Sequence, residues 1–201
     1  MKYLFIDTSN SFINIYIVKD NEVLNKKHYQ TLKDMANSIM PLIRESFNEV
    51  DFKVNDIDKI FVTVGPGSFT GVRVGITVAK TISWSLNIPV YPISTLEYLA
   101  CVDTKYNKII SIIDARRENV FAGYYDSNLN RIKNEELVSI DSIKKNEDTI
   151  LVSYDGVYDS VVIETNIIKL INKHLNDKSV NPHYLVPNYL KKTEAEEKLN
   201  D

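Results

Sequence analysis

Residues 59–75 run KIFVTVGPGSFTGVRVG, an apolar strand passing through a glycine loop into a helical pattern, and 65–75 alone hold four of the six glycines in the 201-residue chain. A strand followed by a glycine loop and a helix constrains the fold more than any other feature here. It belongs to α/β architecture, and it is the arrangement in which backbone N–H groups and a helix N-terminus can hold an anion. The detailed phosphate motifs nevertheless fail. A P-loop needs Gly, four residues and then Gly-Lys-Ser/Thr, but Thr70 stands five after Gly65 and Val72 five after Gly67. The dinucleotide fingerprint is missed by one residue, because Gly65, Gly67 and Gly71 give G-x-G-x-x-x-G.

The helix behind the loop, expected over 70–86, suggests another use for its glycines. Gly71, Gly75, Ala79 and Ser83 fall four apart and form a stripe of small residues. An interior glycine costs a helix about 1 kcal/mol relative to alanine, so close approach by another element is the expected compensation. That neighbour lies either in the same domain or across a subunit boundary.

The rest of the chain reads as two halves. FINIYIVKD alternates as a strand, and with KYLFID before it and VLNKKHYQ after it the N-terminus gives three strands. Residues 32–47 carry Ala36, Ile39, Met40, Ile43 and Phe47 at helical spacing, with Pro41 expected to kink or interrupt the helix. VYPIS is a short strand, Thr95 a candidate cap for a helix to about Val102, and 103–108 a polar boundary. FIDTSNSFINIYIV and IIDARRENVFAGYY then share one plan, with Ile6-Asp7 matching Ile113-Asp114. A strand at 149–154 and a helix over 160–175 follow, and the Pro-punctuated, charged end reads as an extended arm. The expected division is therefore 1–104 and 105–201, the second including the arm.

Charge and composition narrow the function. Net charge is −3, which argues against a dominant nucleic-acid-binding surface. No apolar run approaches the roughly 18 residues of a membrane span, and MKYLFIDTSN is too brief for a signal peptide, so the expected location is the cytoplasm. Cys101 in TLEYLACV reads as a buried thiol. His28, His174 and His183 lack paired-ligand spacing, so no metal is expected. Asp7 and Asp114 end equivalent strands and could meet across a cleft as general bases, or serve as strand-end carboxylates bonded to their turns.

IDTS, GPGSFTGVRVG, VYPISTLEYLA, IIDARRENVFAGYY and PNYLKK, taken in order, resemble the TsaB (YeaZ) family of bacterial tRNA threonylcarbamoyladenosine biosynthesis proteins. The resemblance implies two tandem ASKHA (actin, sugar kinase, Hsp70) α/β domains, each a mixed sheet opened by a β-hairpin with flanking helices, the second reduced. It implies a non-catalytic subunit that binds TsaD and, with the ATPase TsaE, supports modification of the adenosine beside the anticodon in tRNAs reading ANN codons. A homodimer is a competing assembly, tRNA is met only through the complex, and no cofactor, metal or membrane is implied. On this reading the two helices of the first half form the interface, through Met35, Ile39, Gly71, Gly75, Ala79 and Ser83. Asp7, Thr8, Ser9, Gly65, Gly67 and Ser68 become the remnant of a nucleotide loop. Two departures weaken an active site further: Met35 stands where many relatives have histidine, and the second half has only Gly123 and Gly156, too few for an adenosine-binding motif. The alternative is an enzyme, ATP-dependent or peptidase-like, using Asp7 and Asp114.

Overall fold

The computed structural model describes residues 1–31 and 34–190. The first five strands form one sheet, β1 (Lys2–Asp7), β2 (Phe12–Lys19), β3 (Glu22–Gln30), β4 (Lys59–Thr63) and β5 (Val90–Ile93), in the order β3-β2-β1-β4-β5. β1 pairs antiparallel with β2 and parallel with β4. The second sheet repeats that connectivity: β6 (Lys108–Asp114) pairs antiparallel with β7 (Asn119–Asp126) and parallel with β9 (Thr149–Val152), with β8 (Arg131–Ser139) outside β7. Asp7 and Asp114 therefore do end equivalent strands.

Burial on both faces explains why KYLFI is a continuous apolar run. Leu4, Ile6, Ile13, Ile15 and Ile17 face α1 (Met35–Asn48) and α2 (Phe69–Leu86), meeting Ile39, Ile43, Val72 and Ile76. Tyr3, Phe5, Tyr16 and Phe61 face the other way, into a core shared with α3 (Thr95–Ala100), α4 (Ile167–His174) and the inner face of the second sheet. At about 1.5–3 kcal/mol for each large apolar side chain fully buried, this shared core is the main force joining the halves.

Several expectations shift. α1 continues through Pro41, which is exposed, so the carbonyl of Asn37 that loses its partner faces water. Residues 32–33 at the expected start of that helix lie outside the described residues. Ser94, not Thr95, caps α3, its side chain accepting from Leu96 N–H. The helix expected over 160–175 shortens to Ile167–His174, capped by Asn166 on Lys169 N–H. Before it the β-branched run Val161, Val162, Ile163 and Thr165 stays extended and bridges to Val152 and Val102. The arm docks on the first sheet: Val180 bridges Val90, Leu185 is 2% exposed among the first-sheet core residues, and Asn188 N–H donates to the Val64 carbonyl. Residues 191–201 lie outside the described residues. Cys101 is buried as expected, and burial pushes its thiol up to about 12.

One ionic cluster ties α4 to α3. Glu97, 6% exposed, accepts from Lys173 and from His174 Nε2 at 3.1 Å, while His174 Nδ1 lies 2.6 Å from Asp177. Burial disfavours both charges, but the hydrogen bonds outweigh it, leaving the His174 pKa above its ordinary 6.5 and that of Glu97 below 4.5. His174 therefore stabilises fully below pH 6.5 and fades as pH rises through its raised value; Glu97 stabilises above pH 4.5 and fails as pH falls through its lowered one. Replacing His174→Gln should cost about 1.5 kcal/mol near pH 6, with the difference from the unaltered chain shrinking toward alkaline pH in denaturant unfolding. A pH-independent difference would rule the charged pair out as its source.

Candidate functional site

The glycine loop meets the turn after β1. Ser68 N–H donates to the Ser9 carbonyl at 2.7 Å, and the Thr8 hydroxyl donates to the Gly71 carbonyl at 2.7 Å. A Cβ on Gly71 would sit 2.0 Å from the Thr8 carbonyl oxygen, and one on Gly75 would sit 2.3 Å from Thr8 Oγ1. The space above Gly67 is filled by the Ser9 carbonyl, 2.3 Å from where a Cβ would be. Gly65, at φ +103°, makes the bend out of β4. The close neighbour required by the small-residue stripe is therefore the chain's own DTS turn.

That finding corrects the expected interface. Gly71, Gly75, Ala79 and Ser83 are buried against their own sheet, Ser83 Oγ donating to the Ile88 carbonyl at 2.6 Å, and Ile39 is 1% exposed in the same core. These residues are turned away from solvent, because α2 packs its small face on β1 and β4 and α1 packs its branched face on β2. Met35 is half-buried and lines the cleft instead.

Asp7 is fully buried, with five donors on its two oxygens. Oδ1 accepts from Ser9 N–H (3.1 Å), Ser9 Oγ (2.5 Å) and Thr63 Oγ1 (2.7 Å); Oδ2 accepts from Asn14 Nδ2 (2.9 Å) and the Tyr154 hydroxyl (3.0 Å). Burial, and after it the Asp7 charge, holds the Tyr154 phenol well above its ordinary pKa, so it is a neutral donor. Ser9 Oγ also lies 3.0 Å from that hydroxyl. Asn14 is oriented by His28, whose Nδ1 lies 2.6 Å from Asn14 Oδ1. A carboxylate bonded this way is a structural anchor with no lone pair left for a metal-bound water.

Above this anchor a cleft of about 970 Å³ opens between the sheets, lined by Ser68, Phe69 and Met35 on one side and Asp114, Arg116 and Asp155 on the other. Asp114 is exposed and accepts from Arg116 N–H at 2.9 Å and from the Tyr158 hydroxyl at 3.3 Å. The two aspartates thus differ: one is sealed beneath the cleft and one stands at its rim. Ser68 spends its side-chain oxygen on capping α2. A nucleotide phosphate does not fit this loop, since the carbonyl oxygens of Thr8 and Ser9 occupy the approach that phosphate oxygens would need. Among the described residues no group of three His, Cys, Asp or Glu side chains is placed to hold a metal ion. No described helix is long and apolar enough to cross a membrane.

Tyr154, Asn14 and Thr63 were missed as parts of the site. Asn14 and Thr63 carried a signal, each being a polar interruption of an apolar strand; Tyr154 carried none, because only the packing of the two halves brings it to Asp7.

Two mixed sheets of matching connectivity, facing each other over a cleft, define an ASKHA-like α/β protein. The model of the tRNA N6-adenosine threonylcarbamoyltransferase (TsaD) family matches residues 29–149. The TsaB protein of Bacillus subtilis (strain 168), named a tRNA threonylcarbamoyladenosine biosynthesis protein, is 40% identical over 126 residues, which cover 62% of this chain and 55% of that protein. The TsaB of Buchnera aphidicola subsp. Schizaphis graminum is 31% identical over 148 residues, 70% of each chain. A solved structure from Pseudomonas aeruginosa, described as similar to peptidase YEAZ, shares the fold with a TM-score of 0.83 at 20% identity, covering 94% of this chain and 99% of that one. The chain belongs to the TsaB (YeaZ) family.

Gly71→Ala should cost about 2–3 kcal/mol despite the gain in helix propensity, because its Cβ meets a backbone carbonyl that cannot move aside. Asp7→Asn should cost about 3 kcal/mol, since an amide cannot accept at both positions. Urea unfolding of both variants checks the two figures.

Proposed function

We propose that this chain is a non-catalytic subunit that pairs with a TsaD-type threonylcarbamoyltransferase and, with a TsaE-type ATPase, supports formation of N6-threonylcarbamoyladenosine beside the anticodon of tRNAs reading ANN codons. The observation that carries the non-catalytic part is the saturated Asp7: the strand-end carboxylate that an enzyme of this fold would need is consumed by five internal donors. The names of the relatives support the pathway, and the match to the TsaD family model supports a TsaD-type protein as the partner.

The partner surface in this reading is the outward face of α1 and α2. Met40 is 50% exposed, Phe69 is exposed, and Ala36, Val74, Thr77 and Val78 form a shallow apolar groove between the helices. Arg73 stacks over Phe69, 3.6 Å from its ring centre, and donates to the Tyr189 hydroxyl at 2.8 Å, so the arm borders the same face. A second copy of the chain would compete for it. The family reading also carries the division into domains 1–104 and 105–201 and a cytoplasmic location.

Mixing the chain with a TsaD-type protein should give a heteromer by native mass. Met40→Asp combined with Thr77→Arg should weaken it at least tenfold and reduce tRNA modification in cells, with Tm unchanged because both positions are exposed. No heteromer with the unaltered chain would end the subunit reading; an unweakened heteromer with the double variant would move the interface elsewhere.

A further inference from the structure

The outer face of the second sheet is built differently from that of the first. Its residues Ile110, Ile112, Val120, Ala122 and Leu151 are covered by the segment after β8, through Ile140 and Ile143, with no α-helix over them among the described residues. At one end that cover leaves a cavity of about 340 Å³. Tyr124, Ile132 and Ile143 give it an apolar and aromatic wall, and Ile132 is 55% exposed.

Charge is segregated there. Lys108 from β6, Lys133 from β8 and Lys144 from the covering segment line the cavity, and its lining contains no Asp or Glu. In a chain with 27 acidic and 24 basic residues, three lysines converging on one apolar pocket are unexpected. Lys133 is partly committed: it bonds Glu136, which also accepts from the Tyr124 hydroxyl at 3.0 Å, and it stands 5.0 Å from the Tyr124 ring centre. Lys108 and Lys144 make no ion pair among the described residues. Ser142 and Asn146 add neutral donors and acceptors at the rim.

An occupant must therefore be anionic at one end, flat and apolar in its body, and small, since ligand sites run from about 300 to 1,000 Å³. We propose that this pocket binds a nucleoside phosphate, the base against Tyr124, Ile132 and Ile143 and the phosphate between Lys108 and Lys144. Such a unit reaches the pocket either as a free mononucleotide or as one residue of a single RNA strand, where base stacking and lysine–phosphate contact are the usual combination. The pocket lies on a different face from the cleft, and the inference does not rest on the pairing proposed above.

The test is a titration of the full chain with AMP, adenosine, inorganic phosphate and a short oligoadenylate, following the methyl resonances of Ile132 and Ile143. AMP should shift both methyls and bind at least tenfold tighter than adenosine or phosphate. Lys108→Ala with Lys144→Ala should weaken AMP at least tenfold while leaving Tm and heteromer formation unchanged. If RNA is the source, the oligonucleotide binds at least tenfold tighter than AMP, and the double variant lowers its log–log salt slope by about 0.7, the value for one phosphate; if the free nucleotide is the source, AMP binds as tightly as the oligonucleotide. Unshifted methyls with every ligand, binding indifferent to the double variant, or shifts confined to the cleft around Ser68 and Arg116 would each overturn the proposal.

Discussion

The two-residue plug of Thr8 and Ser9 into the glycine loop is the contact on which the rest of the architecture depends. It fixes α2 to the end of β1 through Gly71 and Ser68, and it holds Ser9 where its hydroxyl and amide reach Asp7. Asp7 in turn gathers Thr63 from β4, Asn14 from β2 and Tyr154 from the second half. A buried carboxylate is tolerated only when its lone pairs are satisfied, so this one charge obliges three strands and the far half of the chain to take fixed positions. The glycine loop turns its Ser68 N–H onto the protein's own backbone, the Ser9 carbonyl.

Much of this was legible in the residues. Alternation in FINIYIV gave β2, and the apolar run before IDTS gave a strand buried on both faces. The shared Ile-Asp plan pointed to the repeat that β1–β2 and β6–β7 display. The glycine spacing revealed that something comes close to α2. It left open what does, because spacing records the gap and not its occupant, and Gly71, Gly75, Ala79, Ser83 and Ile39, expected at an interface, are buried in the chain's own core. The difference over 160–166 has a similar cause: Val162 fits a helical stripe with Ile167, Ile171 and Leu175, but the β-branched run gains more by bridging strand edges through Val161 and Thr165.

The two halves divide the work of burial unequally. The first sheet has helices on its outer face and the shared core on its inner face, so its inner strands β1, β2 and β4 are mostly apolar and buried. Among the described residues the second has a looped segment in place of helices outside β6 and β7, and its edge strand β8 is polar, RIKNEELVS, with Arg131, Lys133, Glu135 and Glu136 paired along it. Charged residues on an exposed edge also discourage pairing with another sheet.

The returning arm sets an order of events in synthesis. Leu185 fills a place among the core residues of the first sheet, Val180 extends its β5 edge, and Asn188 bonds the residue before the glycine loop. The first sheet is thus completed by residues made after the second. Until that strap arrives, a seam along α2 and β5 stays open, so the nascent first half lacks part of its final core.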